Sequence, residues 1–321
     1  MNQANIQYLK ISNFKSIEML ELRNIKDFSV FAGANGSGKS NFFDALDFVS
    51  RFMRHGIIDA LRWYGGFDNI RSIQANEDYA RLFEFEIEWQ DEEEVQYKYQ
   101  LIINSLDSDP EINEKFLINK ETIKLNPFPV EYSGLSSIPR LPFSALLRNI
   151  RIYRIEPFSA SFPEQSDQDS SVLKPNGHNL ASVLRRLEQD DNLRETILEW
   201  MEIIVPGIKQ IKTEQQRLGI GTAILFQEQG TKFPAHMMSD GTIYALSLLV
   251  AVLDTPKYGL TLIEEPERGL HPQAIFELIN LIREQASHSS PIWVSTHSES
   301  VVRSLQLDEM WLVELGGGFP W

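Results

Sequence analysis

The chain opens on short apolar stretches set among polar residues. "IQYLKI", "EMLEL" and "FSVFAG", all within residues 6–33, predict strands separated by polar turns. After "GANGSGKS" the apolar spacing becomes helical, with Phe42, Ala45, Leu46, Val49, Phe52 and Met53 on one face. A turn-rich "YGGFDN" follows. "ARLFEFEIEW" then sets Leu82, Phe83, Phe85, Ile87 and Trp89 against polar neighbours. Together with "VQYKYQLIIN", across the acidic "QDEEE", it predicts an antiparallel hairpin. "EKFLINKETIKL" and "RNIRIYRI" add further strands.

Residues 158–177 are rich in Ser, Pro, Asp and Gln, which predicts a mobile insertion or surface loop. Helices resume at "NLASVLRRLEQ" and "LRETILEWMEIIV" and end at Pro206 and Gly207. From there the pattern alternates. Strands "KQIKTEQ" and "GTAILFQ" precede a helix from Thr242, strand "LTLIE", helix "PQAIFELINLIREQ", strand "PIWVST", a helix from Glu299 and strand "MWLVEL". Strands alternating with helices imply an α/β fold whose sheet has parallel members. Neither a sustained heptad run nor an internal repeat appears, so long coiled-coil arms are not expected.

Composition narrows the function classes. The 321 residues, 42% of them hydrophobic, suffice for one large domain or two intimate lobes. With no cysteine, a disulfide framework, a thiolate zinc site and a cysteine nucleophile are excluded. The start "MNQANIQYLKISNF" lacks the pattern of a signal peptide, and the longest apolar-rich run, residues 243–253, contains Ser247 and is too short to span a bilayer. A soluble, cytoplasmic protein with no membrane partner is expected. The net charge of -15 provides no broad field for phosphate backbones, although nucleic-acid contact stays open. Arg148, Arg151 and Arg154, like Arg185 and Arg186, are expected on solvated faces or in ion pairs.

The chemistry sits in a few short motifs. "GANGSGKS", residues 33–40, fits G-x-x-x-x-G-K-[ST] between an apolar strand and a helix. Glycines let backbone N–H groups cradle phosphate oxygens, and the helix N-terminus adds partial positive charge. Gly33, Ala34, Asn35, Gly36, Ser37, Gly38 and Asn41 form or flank that cradle. Lys39 reaches the β- and γ-phosphates, and the Ser40 hydroxyl meets Mg²⁺. "LTLIEEPERGLHP" ends a strand in Glu264 and Glu265, which the strand period sends in different directions. One carboxylate suits a metal ion and the other a water beside the γ-phosphate. "WVSTHS" delivers His297 to a strand end, where ligands of α/β sheets bind. "SDGTIYAL" starts a helix, with Ser239 or Asp240 as its cap.

In this order, the motifs resemble the ABC-type ATPase heads of the RecF, SMC and OLD group. "YLKISNFKSI", with Asn13, Phe14, Lys15 and Ser16, is similar to the first strand of those heads. "GKSNFFDAL", "NGHNLASVL", "VPGIKQI", "MSDGT" and "IEEPERGLHP" are similar to the compact bacterial members without coiled coils, many linked to antiviral defence or DNA transactions. The resemblance runs from about residue 6 to about residue 314. It implies a single α/β head over residues 1–321: a mixed β-sheet lobe with an antiparallel part, plus a helical region and no long coiled coil. Its parts would be an N-terminal lobe at 1–156, a loop and helical insertion at 157–207, and a C-terminal lobe at 208–321.

The resemblance also implies roles. ATP and Mg²⁺ are the cofactors: Lys39 and the loop bind ATP, Ser40 and Glu264 serve Mg²⁺, Glu265 is the general base and His297 the switch histidine. Ser239 and Gly241 form the signature of a second copy in an ATP-dependent homodimer, with "ERGLHP" touching that copy. The wider class has Asp where Glu264 stands and often Gly where Asp240 stands, and its glutamine loop has only Gln74 as a candidate here. A complete ATPase site without an appended output domain implies a regulatory ATPase subunit, controlling a separately encoded nuclease or toxin in anti-phage defence. The alternative is a RecF-like DNA repair or recombination ATPase. A transporter motor fits poorly, because "NFKS" is present and LSGGQ is not, and Glu265 argues against a non-hydrolysing scaffold. Phe319 and Trp321 in the tail "LGGGFPW" either dock or belong to a flexible end.

Overall fold

The structure, a computed structural model, describes residues 6–72, 82–90, 94–104, 110–123, 142–162, 169–215, 221–228, 230–255 and 258–314. Gln74 and the tail aromatics Phe319 and Trp321 lie outside them. The first part of the chain forms β1 (Ile6–Phe14), β2 (Ile17–Ile25), β3 (Phe28–Ala32), α1 (Lys39–His55), α2 (Ile57–Trp63), β4 (Leu82–Gln90), β5 (Gln96–Asn104), β6 (Glu111–Ile118) and β7 (Glu121–Ile123). Then come α3 (Pro142–Arg148), β8 (Arg151–Tyr153), α4 (Pro157–Ser161), α5 (Leu180–Leu187), α6 (Asp191–Ile204), β9 (Ile208–Gln215), β10 (Thr222–Glu228) and β11 (Thr231–Pro234). The last part forms α7 (Asp240–Leu253), β12 (Thr261–Glu264), α8 (Pro272–Gln285), β13 (Ile292–Thr296), α9 (Glu299–Val302) and β14 (Met310–Leu312).

Among the described residues these strands make three sheets. The central one is parallel, ordered β14-β3-β13-β12-β8. Its inner strands β3 and β13 are buried on both faces and read as near-continuous apolar runs. The strand period divides them between two cores. Phe31, Ile152, Leu262 and Trp293 face the core shared with α1 and the antiparallel sheet β2-β1-β4-β5-β6-β7. Val30, Tyr153, Ile263 and Val294 face the core made by α5–α8. A smaller antiparallel sheet, β11-β10-β9, packs at that second core through Ile208, Ile211, Ile224 and Phe226.

The expected elements are present. The hairpin pairs β4 with β5, Phe85 opposite Leu101. The predicted face of α1 is buried, and so are Phe43 and Phe48 on its other sides, because sheets lie both above and below it. Gly56, at φ 86°, ends α1 and starts α2. The longest helix among the described residues is α1, with 17 residues, so no coiled-coil arm is present there. None is long and apolar enough to cross a membrane.

Three features depart from the pattern. The helix expected from Thr242 begins at Asp240, capped by Ser239. The short helices α2 and α3 were not legible as separate elements. The described parts of the 158–177 segment, residues 158–162 and 169–177, are not simply a surface loop: they include most of α4, Leu173 is 2% exposed, and the neighbouring Asn179 gathers the backbone. The Asn179 amide donates to the carbonyls of Asp169 (2.9 Å) and Val172 (2.8 Å), and its oxygen accepts from the Lys174 N–H (2.8 Å). One polar side chain thus replaces the sheet or helix bonds the segment lacks.

An aromatic cluster locks α1 to the parallel sheet. The Phe42 ring centroid lies 4.8 Å from that of Phe31, 5.6 Å from Phe43 and 6.1 Å from Trp293. Phe42→Ala should therefore cost about 3–5 kcal/mol, measured by urea denaturation. A loss under about 1 kcal/mol would mean that α1 does not lean on this cluster.

Candidate functional site

Parallel strands end on the same side, so β3, β13, β12 and β8 all deliver their next residues to one edge. Residues 33–40 follow β3. Gly36 (φ 80°) and Gly38 (φ 101°) take left-handed conformations that a side chain would disfavour. Gly33 is required by space: a Cβ there would lie 2.3 Å from the Val313 carbonyl oxygen just beyond β14. Ala34, Asn35 and Gly36 are exposed at the loop tip, and Ser37 is buried beneath it. Lys39 is buried, and its Nζ donates to the carbonyls of Gly33 and Ala34, each at 2.7 Å. Burial lowers its pKa below the ordinary lysine value, against the pull of Glu265, Glu267 and Glu264.

The opening "NFKS" braces the start of α1. The Asn41 amide donates to Ser16 Oγ at 2.6 Å, and Lys15 Nζ lies 2.5 Å from Asp44 Oδ2. Ser40 and Asp44 are four residues apart, so they share a helix face. Ser40 Oγ donates to Glu264 Oε2 at 3.4 Å, while Asp44 Oδ1 meets Arg154 Nη2 at 2.6 Å. The same Arg154 nitrogen lies 2.8 Å from Glu264 Oε1. Burial alone would lower the Arg154 pKa. The hydrogen bonds and charges of Glu264 and Asp44 outweigh it and hold the guanidinium above its ordinary value.

Glu264 and Glu265 diverge, as the strand period predicts, but a turn does part of the work. Glu264 ends β12, and Glu265 leaves it with a left-handed backbone, φ 51°, its N–H donating to Ser295 O at 2.8 Å. Such a conformation is costly for a side chain with a Cβ. Tyr244, from α7, donates its hydroxyl to the carbonyls of Glu264 (2.9 Å) and Glu265 (2.8 Å) and so holds the bend. Glu265 Oε1 reaches His297 Nδ1 at 3.0 Å. Behind them sits Glu267, 10% exposed, accepting from Thr296 Oγ1 at 2.7 Å and lying 3.8 Å from the same imidazole nitrogen. Glu267 Oε2 is buried without a hydrogen-bond partner, and burial raises the pKa of this carboxyl.

Ser239 and Gly241 stand apart from this cluster. Ser239 Oγ accepts from the Thr242 N–H (3.2 Å), while Ser239 and Asp240 stay exposed. Among the described residues no hydrogen bond or ion pair joins them to residues 33–40. Gly241 is packed against the loop after β12: a Cβ on it would lie 2.3 Å from the Gly269 carbonyl oxygen. The helix start and the "ERGL" loop are therefore in close backbone contact.

Sequence reasoning named Gly33 to Asn41, Glu264, Glu265 and His297, and the fold brings them to one edge. It missed Asp44, whose spacing from Ser40 was a usable signal. It also missed Arg154 and Tyr244, and it named Glu267 only within the partner-facing "ERGLHP" and Thr296 only within "WVSTHS", not as members of this cluster. Arg154 was expected in an ion pair or on a solvated face, and it is ion-paired, but inside the site.

Two comparisons bear on this arrangement. A family model described as "AAA domain, putative AbiEii toxin, Type IV TA system" matches residues 28–303. Among solved structures, the chain is similar to an SMC head bound to the C-terminal winged-helix domain of ScpA: TM-score 0.62, 17% identity, covering 97% of this chain and 94% of that one. It is also similar to a Pyrococcus furiosus Smc head bound to the C-terminal domain of ScpA (TM-score 0.58, 15% identity, 97% and 94% covered). The Thermotoga maritima SMC head domain gives a TM-score of 0.52 at 14% identity, with 96% and 94% covered. At these identities the likeness is one of fold, that of an ABC-type, SMC-like ATPase head. No curated protein matches the chain.

The buried Glu267 makes a pH-dependent prediction. Its folded-state pKa lies above the ordinary 4.5. Its contribution to stability is thus present below about pH 4.5 and is lost as pH rises through the higher folded value. Glu267→Gln removes that loss. Relative to the parent, the variant should be more stable at about pH 7 than at about pH 4, as measured by urea unfolding. Equal differences at both would mean that Glu267 titrates as it does in the unfolded chain.

Proposed function

The chain belongs to the AAA_21 family of AAA domains, and on that premise we propose that it is an ATP-hydrolysing regulatory head. It closes head-to-head on a second copy of itself and controls a separately encoded effector, a nuclease or toxin, in bacterial anti-phage defence. One observation carries the nucleotide part: residues 33–40, Glu264, Glu265 and His297 meet at one sheet edge, with His297 Nδ1 3.0 Å from Glu265 Oε1.

In this reading, residues 33–41 hold the triphosphate through backbone N–H groups and the α1 N-terminus. Lys39 exchanges its two carbonyl partners for β- and γ-phosphate oxygens. Ser40 Oγ and Glu264 Oε2 converge at 3.4 Å as oxygen donors, which suits a hard divalent cation that takes its remaining ligands from water and phosphate. When bound, Mg²⁺ supplies neutralising charge to the phosphates. Glu265 takes a proton from a water whose oxygen adds to the γ-phosphorus, while the bond to the bridging oxygen breaks to release ADP and phosphate. His297, oriented by Glu265, hydrogen-bonds the γ-phosphate.

The N-terminus of α7, with Ser239 exposed and Gly241 seated behind it against Gly269, suits an anion held by another chain. A two-fold pair of heads would place each signature over the other's phosphates. The family description names a toxin of a toxin–antitoxin system, which supports a role in a system of paired components. Heads of this fold bound to ScpA domains support the binding of a separate partner protein.

Two substitutions separate the claims. Lys39→Ala should weaken ATP binding by at least about tenfold in calorimetry. Glu265→Gln should keep ATP binding, lose about 10²–10⁴-fold in turnover, and run as a dimer with ATP and Mg²⁺ on light scattering. Unchanged affinity in the first would sink the nucleotide site. Absence of any ATP-dependent size change in the second would sink head-to-head closure. The effector should co-purify as the product of a neighbouring reading frame; a chain that brings down no such product and alters no phage infection refutes the regulatory role.

A further inference from the structure

The corner where Ser40 meets Glu264 already contains a cation of its own. Arg154 follows β8, the sheet neighbour of β12. Its Nη2 bridges Asp44 Oδ1 at 2.6 Å and Glu264 Oε1 at 2.8 Å. Those two carboxylate side chains are only 12% and 14% exposed. Buried like charges this close need a counter-charge to stay ionised. Each carboxylate also has a second partner: Lys15 Nζ on Asp44 Oδ2 and Ser40 Oγ on Glu264 Oε2. Arg154 itself is 42% exposed, so one side of the guanidinium is open to water.

We infer that Arg154 is the resident counter-ion of Glu264 and that a divalent cation displaces it. The inference rests on the nucleotide-site reading for its biological use, but its physics needs only the side chains present. Glu264 cannot hold a guanidinium and a doubly charged ion together without setting two cations a few ångströms apart, which is repulsive even at a high effective dielectric. Asp44 is the element that makes exchange workable. It keeps Arg154 tethered to α1 after Glu264 is given up, and Lys15 keeps Asp44 neutralised if the tether loosens. The freed planar fork is suited to phosphate oxygens. Metal arrival at β12 is thereby coupled to a change at α1 and, through Lys15, at the turn after β1.

A purely structural clamp would behave differently. Removing a clamp lowers stability and leaves metal affinity unchanged or weaker. Removing a displaceable counter-ion lowers stability without metal and raises metal affinity. The experiment titrates the full chain with Mn²⁺ followed by its paramagnetic resonance signal, first without nucleotide and then with ADP, for the parent and Arg154→Gln. Arg154→Gln should bind Mn²⁺ about three- to tenfold tighter. It should also melt at a lower temperature in EDTA, with the gap narrowing as Mn²⁺ is added. Equal or weaker Mn²⁺ binding by a folded Arg154→Gln overturns the inference, as does no Mn²⁺ binding in either protein. Should Arg154→Gln fail to fold, Arg154→Lys carries the test, because the lysine side chain is one atom shorter and its ammonium does not reach both carboxylates as Nη2 does. It should bind Mn²⁺ more tightly than the parent, and equal affinity overturns the inference. The nucleotide-free titration keeps the outcomes apart: parent protein that binds no ATP removes the nucleotide reading and leaves the Mn²⁺ result standing.

Discussion

Glu264 lies opposite Ser295, and Ala32 opposite Thr296, across two parallel ladders. Those pairings decide that a glycine loop, two carboxylates and an imidazole all leave the sheet at the same edge. A slip of one residue would turn Phe31 and Trp293 toward the wrong core and expose Val30 and Val294 to the other. The aromatic packing of Phe31, Phe42 and Trp293 therefore does more than fill space. It selects the register, and the register places the reactive groups.

The site is rich in acid for a place proposed to receive an anion. Asp44, Glu264, Glu265 and Glu267 crowd around Lys39 and Arg154. Each carboxylate is handled differently. Asp44 and Glu264 are ion-paired, Glu265 faces the imidazole, and Glu267 is buried on a threonine hydroxyl. This sorting of four similar groups by environment is what lets one stay charged beside another.

The motifs were legible because they are local. A phosphate loop needs its glycines and lysine within eight residues, and the strand before it reads as apolar. The hairpin of β4 and β5 and the buried face of α1 were legible for the same reason: their periodicity lies in one short window. Arg154 was not legible, because its meaning depends on β8 being the neighbour of β12, more than 100 residues along the chain. Glu267 and Thr296 meet only because β12 and β13 pair, and the contact of Gly241 with Gly269 joins a helix start to a distant turn. Asn179 shows the converse: a composition typical of a loose loop is held by one amide whose partners no pattern reveals.

The back wall of the glycine loop is the Val313 carbonyl, beyond the last strand of the sheet. The loop itself lies about 270 residues earlier in the sequence. During synthesis, then, residues 33–40 emerge long before the segment that abuts them, and the intervening 270 or so residues must already have been laid down in order. A nascent chain that is still short of β14 has the glycines and the lysine but not the surface that shapes them. Among the described strands of the parallel sheet, β14 comes latest in the sequence, so the wall of the glycine loop forms only once that sheet has gained its edge strand.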